Sequence, residues 1–199
     1  MKAAEFDTEV AFLLALHETE PEHTRRVANL ALALFRGLDP LHGLGPAEER
    51  LLGGAALLHD IGWSRTQPDG RGHHKATAEM IRAHPWVSLS AEETRLMAAV
   101  ARYHRRSLPA AGQVEWDGIP EDQRNAMQWM AACLRIADGL DRRHLQRVRS
   151  LRVENGQGRI RIQATPSEGI GTEIEAARKK ADLLERLTGI PVEIVPTTG

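Results

Sequence analysis

The sequence is poor in residues that cross-link or stack. It contains one cysteine, Cys133, in 199 residues, which excludes an internal disulfide and a thiolate metal cluster. Aromatic residues make up only 4%, which argues against a stacking platform for single-stranded nucleic acid. The 26 basic and 27 acidic residues nearly cancel, which disfavours a protein that binds nucleic acid through overall positive charge. We therefore expect no nucleic-acid partner.

Long hydrophobic segments are also missing. The longest uncharged apolar run near the start, residues 10–16, is far shorter than the roughly 20 residues that cross a bilayer. No positively charged leader with a cleavage-like site precedes it. The sequence therefore predicts a cytoplasmic protein without a membrane partner.

Most of the chain consists of amphipathic segments separated by glycine and proline. Apolar residues recur at helical spacing in these segments, and capping patterns mark several helix starts. The stretch 64–72 is polar and predicts a loop. Five helices are predicted, over residues 21–35, 47–59, 74–84, 90–104 and 121–138.

The pattern changes after about residue 148. Residues 151–154 and 159–163 alternate like short strands around an Asn-Gly-Gln-Gly turn. A last helix is predicted from Thr172 to Gly189, and residues 191–195 predict a third strand. The fold class is therefore mainly α, a helical bundle over residues 1–148 with a small C-terminal α+β appendage (hairpin, helix, strand) over residues 149–199. We expect the appendage to pack on the bundle and to suit a homodimer contact.

Nine histidines accompany a single tyrosine, and several lie on apolar helix faces. His23, His104 and Asp138 each continue an apolar stripe, so their side chains should face inward. His59 and Asp60 leave one helix end about 100° apart. A single histidine in such a place is more often hydrogen-bonded to a carbonyl. Buried polar groups need partners, and one or two divalent metal ions would satisfy the whole set. Such nitrogen and oxygen ligands suit a catalytic site for Mn, Fe, Ni, Co, Zn or Mg.

The order of these residues resembles the HD superfamily of metal-dependent phosphohydrolases, named for its adjacent His-Asp pair. His23 comes first, then the string His59-Asp60-Ile61-Gly62, then Asp138. The resemblance implies an HD-type bundle in which Asp60 bridges two metals. It implies metal binding by His23, His59, Asp60, His74, His104 and Asp138.

His73 competes with His74 for the ligand position. Ala78 and Ile81 continue the face of His74, which we favour. Thr77 and Met80 continue the face of His73, which stays an alternative.

A narrower resemblance covers nearly the whole chain. The sequence is similar to the HD-type C-terminal region of the exopolyphosphatase/guanosine pentaphosphate phosphohydrolase (Ppx/GppA) family. The strings that carry it are Pro-Leu-His-Gly-Leu at 40–44, Leu-Leu-His-Asp-Ile-Gly at 57–62, Gly-His-His-Lys at 72–75, Tyr-His-Arg-Arg at 103–106 and Arg-Ile-Ala-Asp at 135–138. The actin-like half that carries the polyphosphate-cleaving site in that family is missing from this sequence, so exopolyphosphatase activity is not carried over.

The resemblance implies hydrolysis of a phosphoester by a metal-activated water, with a phosphorylated small molecule of nucleotide type as the substrate. Asp60 and Lys75 are predicted to be catalytic. Cations close to the ligands should hold the developing phosphoryl charge, although each also suits a solvated helix end. The predicted substrate-binding residues are Lys75, Arg105, Arg106 and Arg142.

The sequence leaves two other functions open. One is a non-catalytic nucleotide- or phosphate-binding regulatory module related to the same Ppx/GppA region. The other is an oxygenase that holds two irons in the same ligand set. Trp63, beside the metal motif, would either stack on a base or cover the core.

Overall fold

The structure is a computed structural model of the chain and describes residues 2–66, 69–105, 107–156 and 158–197. None of the helices in these ranges has both the length and the apolar character needed to cross a bilayer. The helical body contains α1 (Lys2–His17), α2 (Pro21–Gly37), α3 (Asp39–His42), α4 (Pro46–Leu58), a 3-10 helix (Ile61–Arg65), α5 (His73–Ala83), α6 (Ala91–Arg102), α7 (Val114–Asp117) and α8 (Glu121–Leu140).

The predicted helices exist as α2, α4, α5, α6 and α8, with ends that differ by one or two residues. The mainly α fold with a small sheet near the C-terminus is thereby confirmed. The first helix, α1, was not expected from the sequence. Its apolar residues include Phe12 and Leu16, which are exposed, as well as Phe6, Val10 and Leu13, which are buried. Helical periodicity is therefore weak in this segment.

The predicted loop over residues 64–72 is partly helical. Its first two residues belong to the 3-10 helix that follows α4. Ser64 supports this helix, because its hydroxyl donates to the Ile61 carbonyl at 2.7 Å. Residues 67 and 68 lie outside the described part of the chain.

The sheet contains β1 (Val148–Gly156), β2 (Arg159–Pro166) and β3 (Val192–Pro196), in that order. The β1–β2 pair is antiparallel, as in the predicted hairpin, and β3 is parallel to β2. A parallel neighbour needs a crossover connection, which α9 (Gly171–Lys180) and α10 (Asp182–Thr188) supply.

The predicted single last helix is therefore wrong, because the chain forms two helices there. The break falls at Ala181, where the Leu183 amide donates to the side chain of Asp182 at 2.9 Å. Asp182 thereby satisfies a free amide at the start of a new helix.

One hydrophobic cluster runs through both parts of the chain. Leu34, Leu52, Met97 and Leu134 of the helices are fully buried in it, and Ile162 of β2 belongs to it as well. The sheet lies with β1 against α2, and α9 lies against α8. This packing places α9 beside the helix that carries Asp138. The division into domains at residues 1–148 and 149–199 stays a prediction.

Candidate metal centre

The adjacent pair His59 and Asp60 lies where α4 ends and the 3-10 helix begins. Thr77 of α5 holds this turn, because its hydroxyl donates to the His59 carbonyl at 3.0 Å and accepts from the Gly62 amide at 3.0 Å. A Cβ atom at Gly62 would lie 2.1 Å from the carbonyl oxygen of His73. Only glycine permits so close an approach. The turn is therefore fixed against α5.

His23 of α2 and Asp138 of α8 face the same turn. The Nε2 atom of His23 lies 3.8 Å from Oδ1 of Asp138. With His59 they make up the first ligand group, whose three donor atoms lie within 4.8 Å of one another. Three helices thus converge on a single point of the core.

Asp60, His73 and His104 make up the second ligand group. The Oδ1 atom of Asp60 lies 3.2 Å from Nε2 of His73 and 3.5 Å from Nε2 of His104. The two Nε2 atoms are 3.2 Å apart. Nitrogen ligands about 2.0–2.1 Å from one ion lie roughly 3.0–3.4 Å from each other. The second group therefore has the spacing of a metal site.

Asp60 connects the two groups. While its Oδ1 atom faces His73 and His104, its Oδ2 atom lies 3.5 Å from Nε2 of His59 and 3.9 Å from Nε2 of His23. Each oxygen of this carboxylate therefore faces a different group. This is the arrangement that a carboxylate needs in order to contact two ions at once.

The structure brings His73, rather than the favoured His74, into the second group. His74 follows about 100° around the helix and is only half-buried. Burial, followed by the charge of Arg102, lowers the pKa of His74 to about 4. The geometry thus favours the alternative, His73, and metal binding by His74 stays a prediction. Periodicity could not decide between the two, because both faces of α5 are buried, as shown by Thr77, Ala78, Met80 and Ile81.

All four histidines of the two groups present Nε2 to the centre. In each of them Nδ1 lies close to an oxygen: the Ala56 carbonyl for His59 (2.8 Å), the Ala101 carbonyl for His104 (2.7 Å), the Gly70 carbonyl for His73 (2.9 Å) and the Asp141 carboxylate for His23 (2.9 Å). Carbonyl and carboxylate oxygens only accept, so each Nδ1 is placed to donate and Nε2 is left to face the centre. Nδ1 of His73 also lies 3.3 Å from the Arg105 guanidinium. Metal-binding histidines are oriented in this way.

Two of these Nε2 atoms lack partners in the described part of the chain. Nε2 of His23 and Nε2 of His59 are buried without a hydrogen bond, and those of His73 and His104 face each other. Buried acceptors without partners destabilise a fold. Cations between the nitrogens would satisfy all four. The residues present therefore fit one metal ion in each group.

The surrounding charges favour the protonation states that bind metals. Burial raises the pKa of Asp60, but the nearby His59, His73 and His104 outweigh it and hold that pKa well below its usual value. Burial also raises the pKa of Asp138, and the Lys180 ammonium outweighs it. Burial lowers the pKa of His104 well below its usual value. Metal binding needs ionised carboxylates and neutral imidazoles, and these pKa shifts favour ionised Asp60 and Asp138 and a neutral His104 at neutral pH.

A cavity of about 380 Å³ opens onto the two groups. Trp63 forms part of its wall and is 43% exposed. The Trp63 ring stacks on His73, with ring centroids 4.6 Å apart. Trp63 therefore borders the pocket rather than covering the core. The walls also carry the cations Arg105, Arg135, Arg142, Lys179 and Lys180.

Two of the predicted substrate-binding cations, Arg105 and Arg142, line this pocket. Lys75 does not line it and is exposed. Its position two residues after His73 corresponds to about 200° around α5, which explains why the structure leaves this predicted catalytic residue outside the pocket. Arg106 lies outside the described residues.

Arg135 is a site residue that sequence reasoning missed. Its buried guanidinium donates to the carbonyls of Tyr103 (3.1 Å) and Arg105, and it binds the Asp182 carboxylate at 2.8 and 3.0 Å. It therefore fixes the chain on either side of His104 against α8. Its place in the string Arg-Ile-Ala-Asp, three residues before Asp138, could have indicated that Arg135 belongs to the site.

Asp141 and Lys180 were also missed. Asp141 follows Asp138 by three residues, a spacing that could have indicated it. Lys180 donates to Oδ2 of Asp138 from 42 residues further along the chain. No local pattern marks such a distant contact.

The fold and the site together define a helical protein with a candidate two-metal centre. The family model described as Ppx/GppA phosphatase, domain III, matches residues 7–166, and the chain belongs to this family. The relationship is thus to phosphatases. A search of curated proteins found no match. The matched region ends with β2, so α9, α10 and β3 lie beyond it.

Proposed function

We propose that the protein is an HD-type metal-dependent phosphohydrolase that cleaves a phosphoester of nucleotide type with water. The observation that carries the proposal is the position of Asp60, whose two oxygens face different ligand groups. Membership of a phosphatase family supports the reaction class. The four Nε2 atoms that face the centre support the metal requirement.

The first group would hold one ion and the second group another, with Asp60 in contact with both. Divalent ions polarise a phosphoryl oxygen and lower the pKa of water, which makes a nucleophile available at neutral pH. Donor sets of imidazole and carboxylate suit Mn, Fe, Ni, Co, Zn or Mg. The ligands come from several helices packed in one core, so little reorganisation is needed to bind the ions.

The other pocket residues bind and orient the substrate in this proposal. Arg142 is exposed at the pocket wall and has no hydrogen bond or ion pair within the described ranges. Its guanidinium is free to bind phosphoryl oxygens, as is that of Arg105, whose Nη1 atom lies 3.3 Å from Nδ1 of His73. The exposed ring of Trp63 offers a surface for a nucleobase.

Metal analysis of the purified protein, followed by a screen of phosphoesters with Mn, Ni, Co or Mg supplied, tests this function. We expect one or two metal ions per chain and turnover of at least one phosphoester. A preparation that holds two metals and hydrolyses no phosphoester would instead support the regulatory module. A stable mixed-valent diiron signal in electron paramagnetic resonance would support the oxygenase. The cytoplasmic location and the homodimer contact stay predictions.

A further inference from the structure

The pocket of the metal centre has a wall that lies outside the region matched by the family. The match ends at residue 166, and α9 begins at Gly171. Lys179 and Lys180 of this helix line the pocket. Helix α9 is held in place by α8, because a Cβ atom at Gly139 would lie only 2.7 Å from the Cα atom of Ala177. The C-terminal segment is therefore part of the site.

Lys180 is placed between the metal centre and the pocket. Its ammonium donates to Oδ2 of Asp138, whose Oδ1 faces His23 in the first ligand group. An ammonium group has three donors, and Asp138 is the one partner of Lys180 within the described ranges. Lys180 therefore keeps two donors beside the metal ligands.

The other cations of the pocket differ in how far they are already paired. Arg135 is bound by Asp182, and Lys179 is bound by Glu175 at 2.6 Å. Arg142 has no acidic partner within the described ranges. Lys180 shares its one acidic partner, Asp138, with the metal site. Arg105 also lacks an acidic partner within the described ranges, and its Nη1 atom lies 3.3 Å from Nδ1 of His73. Lys180, Arg142 and Arg105 are thus the pocket cations best able to take a further anion.

Building on the proposed function, we propose that Lys180 and Arg142 form a phosphoryl-binding subsite, and that it binds the dianionic phosphate of a phosphomonoester. A phosphomonoester carries nearly two negative charges at neutral pH, whereas a phosphodiester carries one. In this pocket, bound metal ions would take up the charges of Asp60 and Asp138. Two further cations beside the metals therefore suit a dianion better than a monoanion.

The binding of inorganic phosphate to the metal-loaded full chain tests the subsite. We expect Lys180→Gln to raise the calorimetric dissociation constant about tenfold or more, because a charge-assisted hydrogen bond is lost. Lys180→Arg keeps the positive charge and should lose less phosphate affinity. Arg142→Gln, at an exposed position, should also weaken binding. Arg186→Gln is the matched control, because it removes one exposed charge from α10 outside the pocket. It should leave the dissociation constant for phosphate unchanged.

Metal content is measured on every variant. Unchanged phosphate affinity in both Lys180→Gln and Arg142→Gln would overturn the subsite. Loss of metal in proportion to loss of phosphate affinity in Lys180→Gln would also overturn it, because Lys180 would then act only by holding Asp138.

The choice of phosphate as the probe separates this inference from the proposed function. If the protein binds phosphate through Lys180 but hydrolyses no phosphoester, the subsite would be supported and the proposed hydrolase function would be contradicted. Faster hydrolysis of 4-nitrophenyl phosphate than of bis(4-nitrophenyl) phosphate is expected. The reverse order would overturn the assignment to phosphomonoesters.

Discussion

Nδ1 of His23 lies 2.9 Å from Oδ2 of Asp141, so a carboxylate just beyond α8 orients a candidate metal ligand 118 positions earlier in the chain. Oδ1 of Asp141 accepts from the Gln146 amide at 2.7 Å. His144 stacks on His23 with ring centroids 3.7 Å apart. The φ angles of His144 and Gln146 are 56° and 50°, a left-handed conformation that costs non-glycine residues about 1–2 kcal/mol each. The strained turn after α8 therefore holds His23 from two sides.

Replacing Asp141 should weaken the first ligand group without removing a ligand. We expect Asp141→Ala to lower metal affinity about 10- to 100-fold, because His23 loses the acceptor that sets its orientation. Asp141→Asn keeps an acceptor oxygen and should lose less metal affinity. Competition with a chelator measures the affinity. Equal affinity in Asp141→Ala and the parent would show that Asp141 does not orient His23.

Asp60 should be required at both metal positions. Asp60→Asn removes the charge shared by the two groups, so we expect the metal content per chain to fall below that of any single histidine variant. Elemental analysis after gel filtration measures this content. The control is Asp122→Asn, an exposed carboxylate in the first turn of α8, which should keep full occupancy. Loss of only one of two ions in Asp60→Asn would argue against a shared ligand.

His73 and His74 offer a matched comparison of adjacent residues. We expect His73→Ala to lose the metal of the second group, because Nε2 of His73 lies 3.2 Å from both Asp60 and His104. His74→Ala should retain that metal. Metal content and the affinity for Mn measure both variants. The opposite result would restore the assignment made from the sequence.

The pKa of His74 predicts a pH-dependent contribution to stability. Its pKa is about 4 in the folded protein, against 6.5 for the free side chain. The unfolded chain therefore binds the proton first, so the contribution is complete above about pH 6.5 and is lost as the pH falls towards 4. We expect the stability of the parent relative to His74→Gln to decline over this window. Urea unfolding of both proteins in the presence of a chelator measures this difference in the free energy of unfolding. A difference that stays constant across the window would contradict the prediction.

The contact between α8 and α9 should tolerate no side chain at Gly139. A Cβ atom there would lie 2.7 Å from Cα and 2.8 Å from the amide nitrogen of Ala177. We expect Gly139→Ala to lower the free energy of unfolding by about 1–3 kcal/mol. Gly171→Ala, which meets no atom within 4 Å, should be nearly neutral. Chemical denaturation measures both. A neutral Gly139→Ala would show that α9 shifts away from α8 at little cost.

The helices could be predicted where one face alone is apolar. The buried residues of α2, from His23 to Phe35, recur at helical spacing, and this pattern also put His23 on the inward face. Where apolar residues are not confined to one buried face, periodicity either missed the helix or could not choose between adjacent residues. Apolar residues on exposed positions concealed α1, and burial of both faces of α5 left the choice between His73 and His74 open.

The sequence by itself determined the mainly helical fold, because hydrophobic periodicity and capping are local properties of neighbouring residues. It also placed His23, His104 and Asp138 on inward faces. Only the tertiary structure decided which residues meet at the pocket. The contacts of Asp141 with His23 and of Lys180 with Asp138 join residues 118 and 42 positions apart. Such pairs depend on how α2, α8 and α9 pack against one another, and no local spacing encodes that packing.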